Sequence, residues 1–171
     1  MRNRKYEFTG HTIEHNDKVL KQIKRISDDL IGGYIEHEAN LSHEGDCFVY
    51  ENARVSENAR VYGQALVFEN ARVSGRALVY GDAQVSGRAW VSENARVSGR
   101  ALVSGQALVF GNALVYGDAQ VYGDAWVSEN ARVSGQALVS GQALVFGNAR
   151  VYGQALVFEN ARVSGRALVY G

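Results

Sequence analysis

The chain has 171 residues, with 18 Lys and Arg against 18 Asp and Glu, one cysteine and no proline. The balanced charge argues against a polyanionic partner such as bare nucleic acid or an anionic membrane surface. The single Cys47 excludes an internal disulfide, and no apolar run approaches the ~20 residues of a membrane span.

The chain opens on Met1-Arg2-Asn3-Arg4-Lys5, which is basic but is not followed by an apolar stretch. No secretory signal is therefore expected, and a bacterial cytoplasm is the expected location. Residues 1–48 lack any repeat and are expected to cap the domain formed by residues 49–171. Lys5–Thr9 reads as a strand, and Asn16-Asp17 as a turn or a helix start. Val19, Leu20, Ile23, Ile26 and Leu30 have helical spacing, which leaves 18–31 open between a helix and a strand. Tyr34, Ile35, Leu41, Cys47 and Phe48 are expected to plug the end of the domain, with Cys47 as a small buried side chain. No Lys, Arg or His lies within two residues of it to activate the thiol.

From Val49 to the end the chain is one unbroken six-residue pattern, beginning Val49-Tyr50-Glu51-Asn52-Ala53-Arg54. Ala and Val stand two apart and so share one face of a strand, while the residues flanking Val face the other way. Gly or Glu followed by Asn, Asp, Gln or Arg supplies a corner, since Gly and Asn tolerate left-handed backbone. Each unit is thus a short strand and a bend, the signature of a stacked solenoid. Two long internal repeats set the size of a coil. Residues 61–81 recur identically at 151–171, a shift of 90, and residues 79–113 recur at 115–149, a shift of 36, with three differences. Both shifts are multiples of 18 and only one is a multiple of 12, so the coil is expected to have three sides and 18 residues. Residues 49–171 then make between six and seven coils, roughly 30 Å long at the ~4.8 Å strand spacing.

The Ala-x-Val spacing with a corner every six residues resembles the left-handed β-helix hexapeptide family, which includes many acyltransferases. There the aliphatic residue is followed at once by Gly, whereas here Gly comes one place later, as in Val73-Ser74-Gly75. The lead-in to the repeat is more specific. Gly32-Gly33-Tyr34-Ile35, then Asn40-Leu41-Ser42, then Gly45-Asp46-Cys47-Phe48-Val49-Tyr50 resembles the YdcK-like group of bacterial and prophage proteins, in which tryptophans stand where Tyr34 and Phe48 stand. The resemblance implies an all-β, left-handed parallel β-helix with an N-terminal cap, a hairpin across 19–26, and no established catalytic activity. Its prophage members suggest a phage-encoded factor that binds and blocks a host protein.

The repeat region contains no His, Cys or Lys, the groups that hexapeptide enzymes use as bases and metal ligands. His11, His15, His37 and His43 all precede it. His37 and His43 are six apart, and a metal site there is the minor reading against solvated cap residues. No cofactor or metal is expected. An acyltransferase-like activity pairing cap histidines with a neighbouring copy is the enzymatic alternative.

Folded at 18 residues per coil, the outward side chains form three columns. The first gathers Trp90, Leu108, Phe110, Trp126, Leu144 and Phe146, with Arg54, Arg72 and Arg162 at its ends. An apolar patch rimmed by Arg marks an interface, here for a protein and in the first place another copy of the chain. The second column carries Arg60, Tyr62, Tyr80, Arg96, Tyr116, Arg132, Arg150 and Tyr152, a lesser candidate for nucleic acid or nucleotides. Glu57, Glu93 and Glu129, three residues before Arg60, Arg96 and Arg132, are expected to neutralise these arginines. The third column is mixed. Leu168 and Tyr170, in the last unit, are candidates for an end-to-end contact.

Overall fold

The computed structural model describes residues 4–171; Met1–Asn3 of the basic start lie outside them. After an N-terminal hairpin the chain winds as a three-sided parallel β-solenoid of about eight 18-residue coils. The strands are β1 (Tyr6–His15), β2 (Lys18–Arg25), β3 (Ile31–Ile35) and β4 (Phe48–Val49), followed by a two- or three-residue strand every six residues to β24 (Leu168–Tyr170). Three parallel sheets form the sides of the prism. Each rung pairs with the residue 18 further on, as in Arg54↔Arg72 and Val55↔Val73. Stacking reaches back before the repeat, because β3 pairs in parallel with Arg54–Val55. Residues 31–48 therefore form an irregular first coil, and the coils number about eight rather than six to seven.

Two local features close each coil. Every Ala and Val of the repeat from Val49 to Val151 points inward and is fully buried or nearly so. Burial of this apolar surface stabilises at about 25 cal/mol per Å2. Along the outside, each six-residue side sends three backbone N–H groups to the next coil. Arg54 N donates to Ala71 O at 2.9 Å, Ser56 N to Val73 O at 3.0 Å and Asn58 N to Gly75 O at 2.9 Å. The corners are four-residue turns, as where Ala59 N returns to Ser56 O at 3.2 Å.

The left-handed residue of each turn is the Gly/Glu position and not the Asn position after it: Gly75 has φ 68 and Glu57 φ 61. A positive φ at the second of the four residues is the type II′ arrangement, which glycine fits. Glu51, Glu57, Glu69, Glu93, Glu129 and Glu159 adopt it as well, at a cost of order 1 kcal/mol each. For two of them a return is visible. The Glu57 and Glu69 carboxylates accept the N–H groups of Gly75 and Gly87, one coil on, which the ladder leaves unused.

The cap is a hairpin, not a helix. β1 and β2 pair antiparallel, and Asn16 (φ 50) and Asp17 (φ 59) form the two-residue turn with both φ positive that hairpins favour. Leu20 and Ile23 point inward, while Val19, Ile26 and Leu30 are exposed. β2 pairs with β3, so the hairpin extends the first sheet past its end rung and covers its backbone edge. Ile35, Leu41, Cys47 and Phe48 are buried as expected. Tyr34 is not part of the plug. Alternation turns it outward once Ile35 turns in, and its half-buried ring lies 6.0 Å from that of His11. Tyr6 takes its place, buried, with its hydroxyl donating to Glu38 O at 3.0 Å.

Gly32 and Gly33 let the hairpin close on the first coil. A Cβ at Gly33 would lie 2.6 Å from Ala53 O and 2.8 Å from Val49 Cγ1. Gly33→Ala is therefore expected to cost about 1–3 kcal/mol through overpacking, seen as a lower midpoint in thermal unfolding. Gly10→Ala, where nothing lies within 4 Å but φ is +90, tests strain without a clash.

Candidate functional site

The 18-residue register brings the outward residues into the columns that the repeat lengths imply. On the first face Trp90 is paired with Leu108, Leu108 with Trp126 and Trp126 with Leu144. Trp90 and Trp126 are 42% and 46% exposed; Leu108, Phe110, Leu144 and Phe146 are half-buried between their neighbours. The rings are ordered by local contacts. Phe110 meets Trp126 edge to face at 6.3 Å, and Trp90 Nε1 donates to Ser74 Oγ at 2.9 Å. Size alternates along this face: coils that carry Trp carry Ser beside it (Ser92, Ser128), and coils that carry Leu carry Phe (Phe110, Phe146).

The second face likewise aligns Arg60, Leu78, Arg96, Leu114, Arg132, Arg150 and Leu168. Its tyrosines are partly used by one another: Tyr62 stacks on Tyr80 at 5.0 Å and Tyr152 on Tyr170 at 5.7 Å, while Tyr116 is exposed. The expected pairing of Glu57, Glu93 and Glu129 with Arg60, Arg96 and Arg132 does not occur among the ion pairs of the described residues. Glu57 is instead taken by Lys18 of the hairpin at 2.7 Å, which, with the Gly75 N–H, holds its carboxyl below the usual range. The corners beside the column carry Glu57, Glu93 and Glu129 on one side; on the other Asp82 and Asp118 flank Arg100, which pairs with Asp118 at 2.6 Å. Leu168 and Tyr170 are 58% and 73% exposed in the last rung.

The cap brings together groups that are distant in sequence. The Lys5 ammonium donates to Cys47 Sγ at 3.1 Å and to Cys47 O at 2.6 Å, a neighbour 42 residues away that spacing could not reveal. His43 stacks on Tyr6 and pairs with Glu38 Oε1 at 2.9 Å, whereas His37 pairs with Glu36 at 3.3 Å. Among the described residues no group of three or more His, Cys, Asp and Glu is arranged to hold a metal ion, and no helix is long and apolar enough to cross a membrane.

The hairpin tip leans over the first face. Lys18 reaches Glu57, and Arg54 Nη1 lies 2.9 Å from His15 Nδ1. Together with Arg72, Ser56, Ser74 and Trp90 these groups wall a hollow of about 90 Å3. Nothing in the local sequence pointed to it, since the wall is shared by the hairpin and three successive coils.

A family model described as "YdcK Beta solenoid repeat" matches residues 71–87, 83–99, 107–123 and 119–135. Each match begins on an inward alanine, and their starts differ by multiples of six, so the model follows the unit of one side through more than one face. No match was found among curated proteins.

Burial, then Arg54 and Arg72, lower the His15 pKa from 6.5. A histidine lowered on folding adds stability that is complete above about pH 6.5 and lost as pH falls toward its folded value. Arg54, Arg72, Lys18 and Glu57 are the charges that face it. His15→Gln is expected to flatten this dependence: its melting point should approach or pass that of the wild type between about pH 7.5 and about pH 5.5. A parallel fall in both proteins would contradict the assignment.

Proposed function

From the premise that the chain is a YdcK-like β-solenoid protein, we propose that it is a non-catalytic scaffold that associates through its first face with a second copy of itself. The observation that carries this reading is the alternation of bulk on that face. Two copies laid face to face with antiparallel axes, related by a two-fold axis in the contact plane, meet with their coils in reverse order. If the axis falls between the Leu108 and Trp126 coils, Trp90 faces Leu144 of the second copy and Leu108 faces its Trp126. In the neighbouring column Phe110 faces Ser128 and Phe146 faces Ser92. From the Trp90 coil to the Leu144 coil large meets small at every position, with Arg72 and Arg162 meeting at the solvated rim, and each contact occurs twice, as a self-complementary interface requires. Aromatic anchors in such a patch carry most of the binding energy.

The absence of His, Cys and Lys from the repeat region supports a role without catalysis. The balance of 18 basic and 18 acidic residues disfavours a polyanion on the Arg/Tyr face. The finer role suggested by the prophage resemblance, capture of a host protein, uses the same exposed surface and replaces the second copy by a heterologous partner.

Light scattering on size-exclusion fractions tests the reading. Wild type is expected to run at twice the chain mass of 18.7 kDa. Leu108→Trp sets Trp against Trp and should weaken association at least about tenfold, from an overpacking cost of about 1–3 kcal/mol per contact. Leu108→Trp combined with Trp126→Leu restores the size match and should restore the dimer. A monomeric wild type, or a double variant no better than the single one, contradicts the proposal.

A further inference from the structure

We propose that the hollow between the hairpin tip and the first face is a binding site for the phosphate group of a small phosphate monoester. Arg54 and Arg72 are register partners on adjacent coils, about 4.8 Å apart along the ladder. Like charges set directly opposite each other on a sheet destabilise it, and none of the ion pairs among the described residues involves either arginine. Lys18 also lines the hollow but is engaged by Glu57 and Glu36. The Glu57 carboxylate, the one acid in the wall, is held by Lys18 and the Gly75 N–H. Two guanidinium charges are left uncompensated.

The other wall groups are set to donate. A guanidinium has no acceptor, so His15 Nδ1 accepts from Arg54 and the ring proton sits on Nε2. The lowered His15 pKa agrees with this neutral form. Ser74 Oγ already accepts from Trp90 Nε1, which leaves its own proton to give, and Ser56 stands one coil below. At about 10–15 Å3 per water, a hollow of about 90 Å3 admits a tetrahedral oxyanion and its first ester atoms. Paired arginine forks match phosphate oxygens two at a time. The second face has the same arginine pairing at Arg132 and Arg150, and those two are exposed, as Arg72 is; what distinguishes the first face is Arg54, half-buried under the hairpin, and the wall that the hairpin adds. The site adjoins the proposed interface: its arginines lie on coils before the aromatic ones, and Trp90 belongs to both, so the dimer-directed variant is tested beside the site variant.

Calorimetric titration of the full chain at low ionic strength tests it, with inorganic phosphate, phenyl phosphate and acetate as probes. Phosphate and phenyl phosphate are expected to saturate a single site, with planar monoanionic acetate much weaker. Arg72→Gln should weaken both phosphates at least about tenfold, the worth of a charge-assisted bond, while Arg150→Gln leaves them unchanged. Leu108→Trp, which targets the dimer, should bind phosphate as wild type does. No saturable heat, an unchanged affinity in Arg72→Gln, or binding of phosphate but not of its ester overturns the proposal.

Discussion

The rest of the structure depends on the backbone ladder that joins each coil to the next in an 18-residue register. Three N–H groups per side leave every coil for the one above, and they meet carbonyls only if each side holds six residues and each coil three sides. The register lets Val stack on Val and Ala on Ala down the interior, so that one small apolar pair repeated suffices for a core. It also converts a linear repeat into flat faces on which residues 18 apart are neighbours. The outer surface is therefore not a fold of loops around a pocket. It is a set of columns whose composition can change without disturbing the inside.

Much of this was legible because the repeat is so regular. Inward Ala and Val follow from their spacing alone, and the shifts of 36 and 90 between duplicated segments discriminate an 18-residue coil from a 12-residue one. The columns, and with them the Trp90 to Phe146 cluster, follow by counting. What could not be read lies where regularity ends. Val19, Leu20, Ile23, Ile26 and Leu30 fit a helical spacing, and only the β1–β2 pairing shows that Leu20 and Ile23 alone turn inward. Tyr34 resembles a plug by composition, but its neighbour Ile35 takes the inward position. Glu in a left-handed corner runs against intrinsic preference; its reward, for Glu57 and Glu69, is an N–H one coil away.

The contacts that matter most chemically are of the same long-range kind. Lys5 on Cys47, Lys18 on Glu57 and His15 on Arg54 all join the aperiodic cap to the coil region. No spacing rule reaches across 39 or 42 residues of unrelated pattern. The cap thus does more than cover an edge. Its tip changes the environment of the first arginines of the first face, and so sets its polar N-terminal end apart from the aromatic middle. A repeat protein gains individuality in this way, by adding one irregular element to a uniform prism.

The most direct test of the coil itself is distance between spin labels. In a Cys47→Ala background, nitroxides at Leu102 and Gln120 occupy paired positions on adjacent coils of one sheet, about 4.8 Å apart along the ladder, and their continuous-wave spectrum should show strong dipolar broadening. Labels at Leu102 and Leu114, 12 residues apart, lie on different faces and should show little. Broadening in the second pair and not in the first would mean that the chain closes its coil after another number of residues, and would contradict the account.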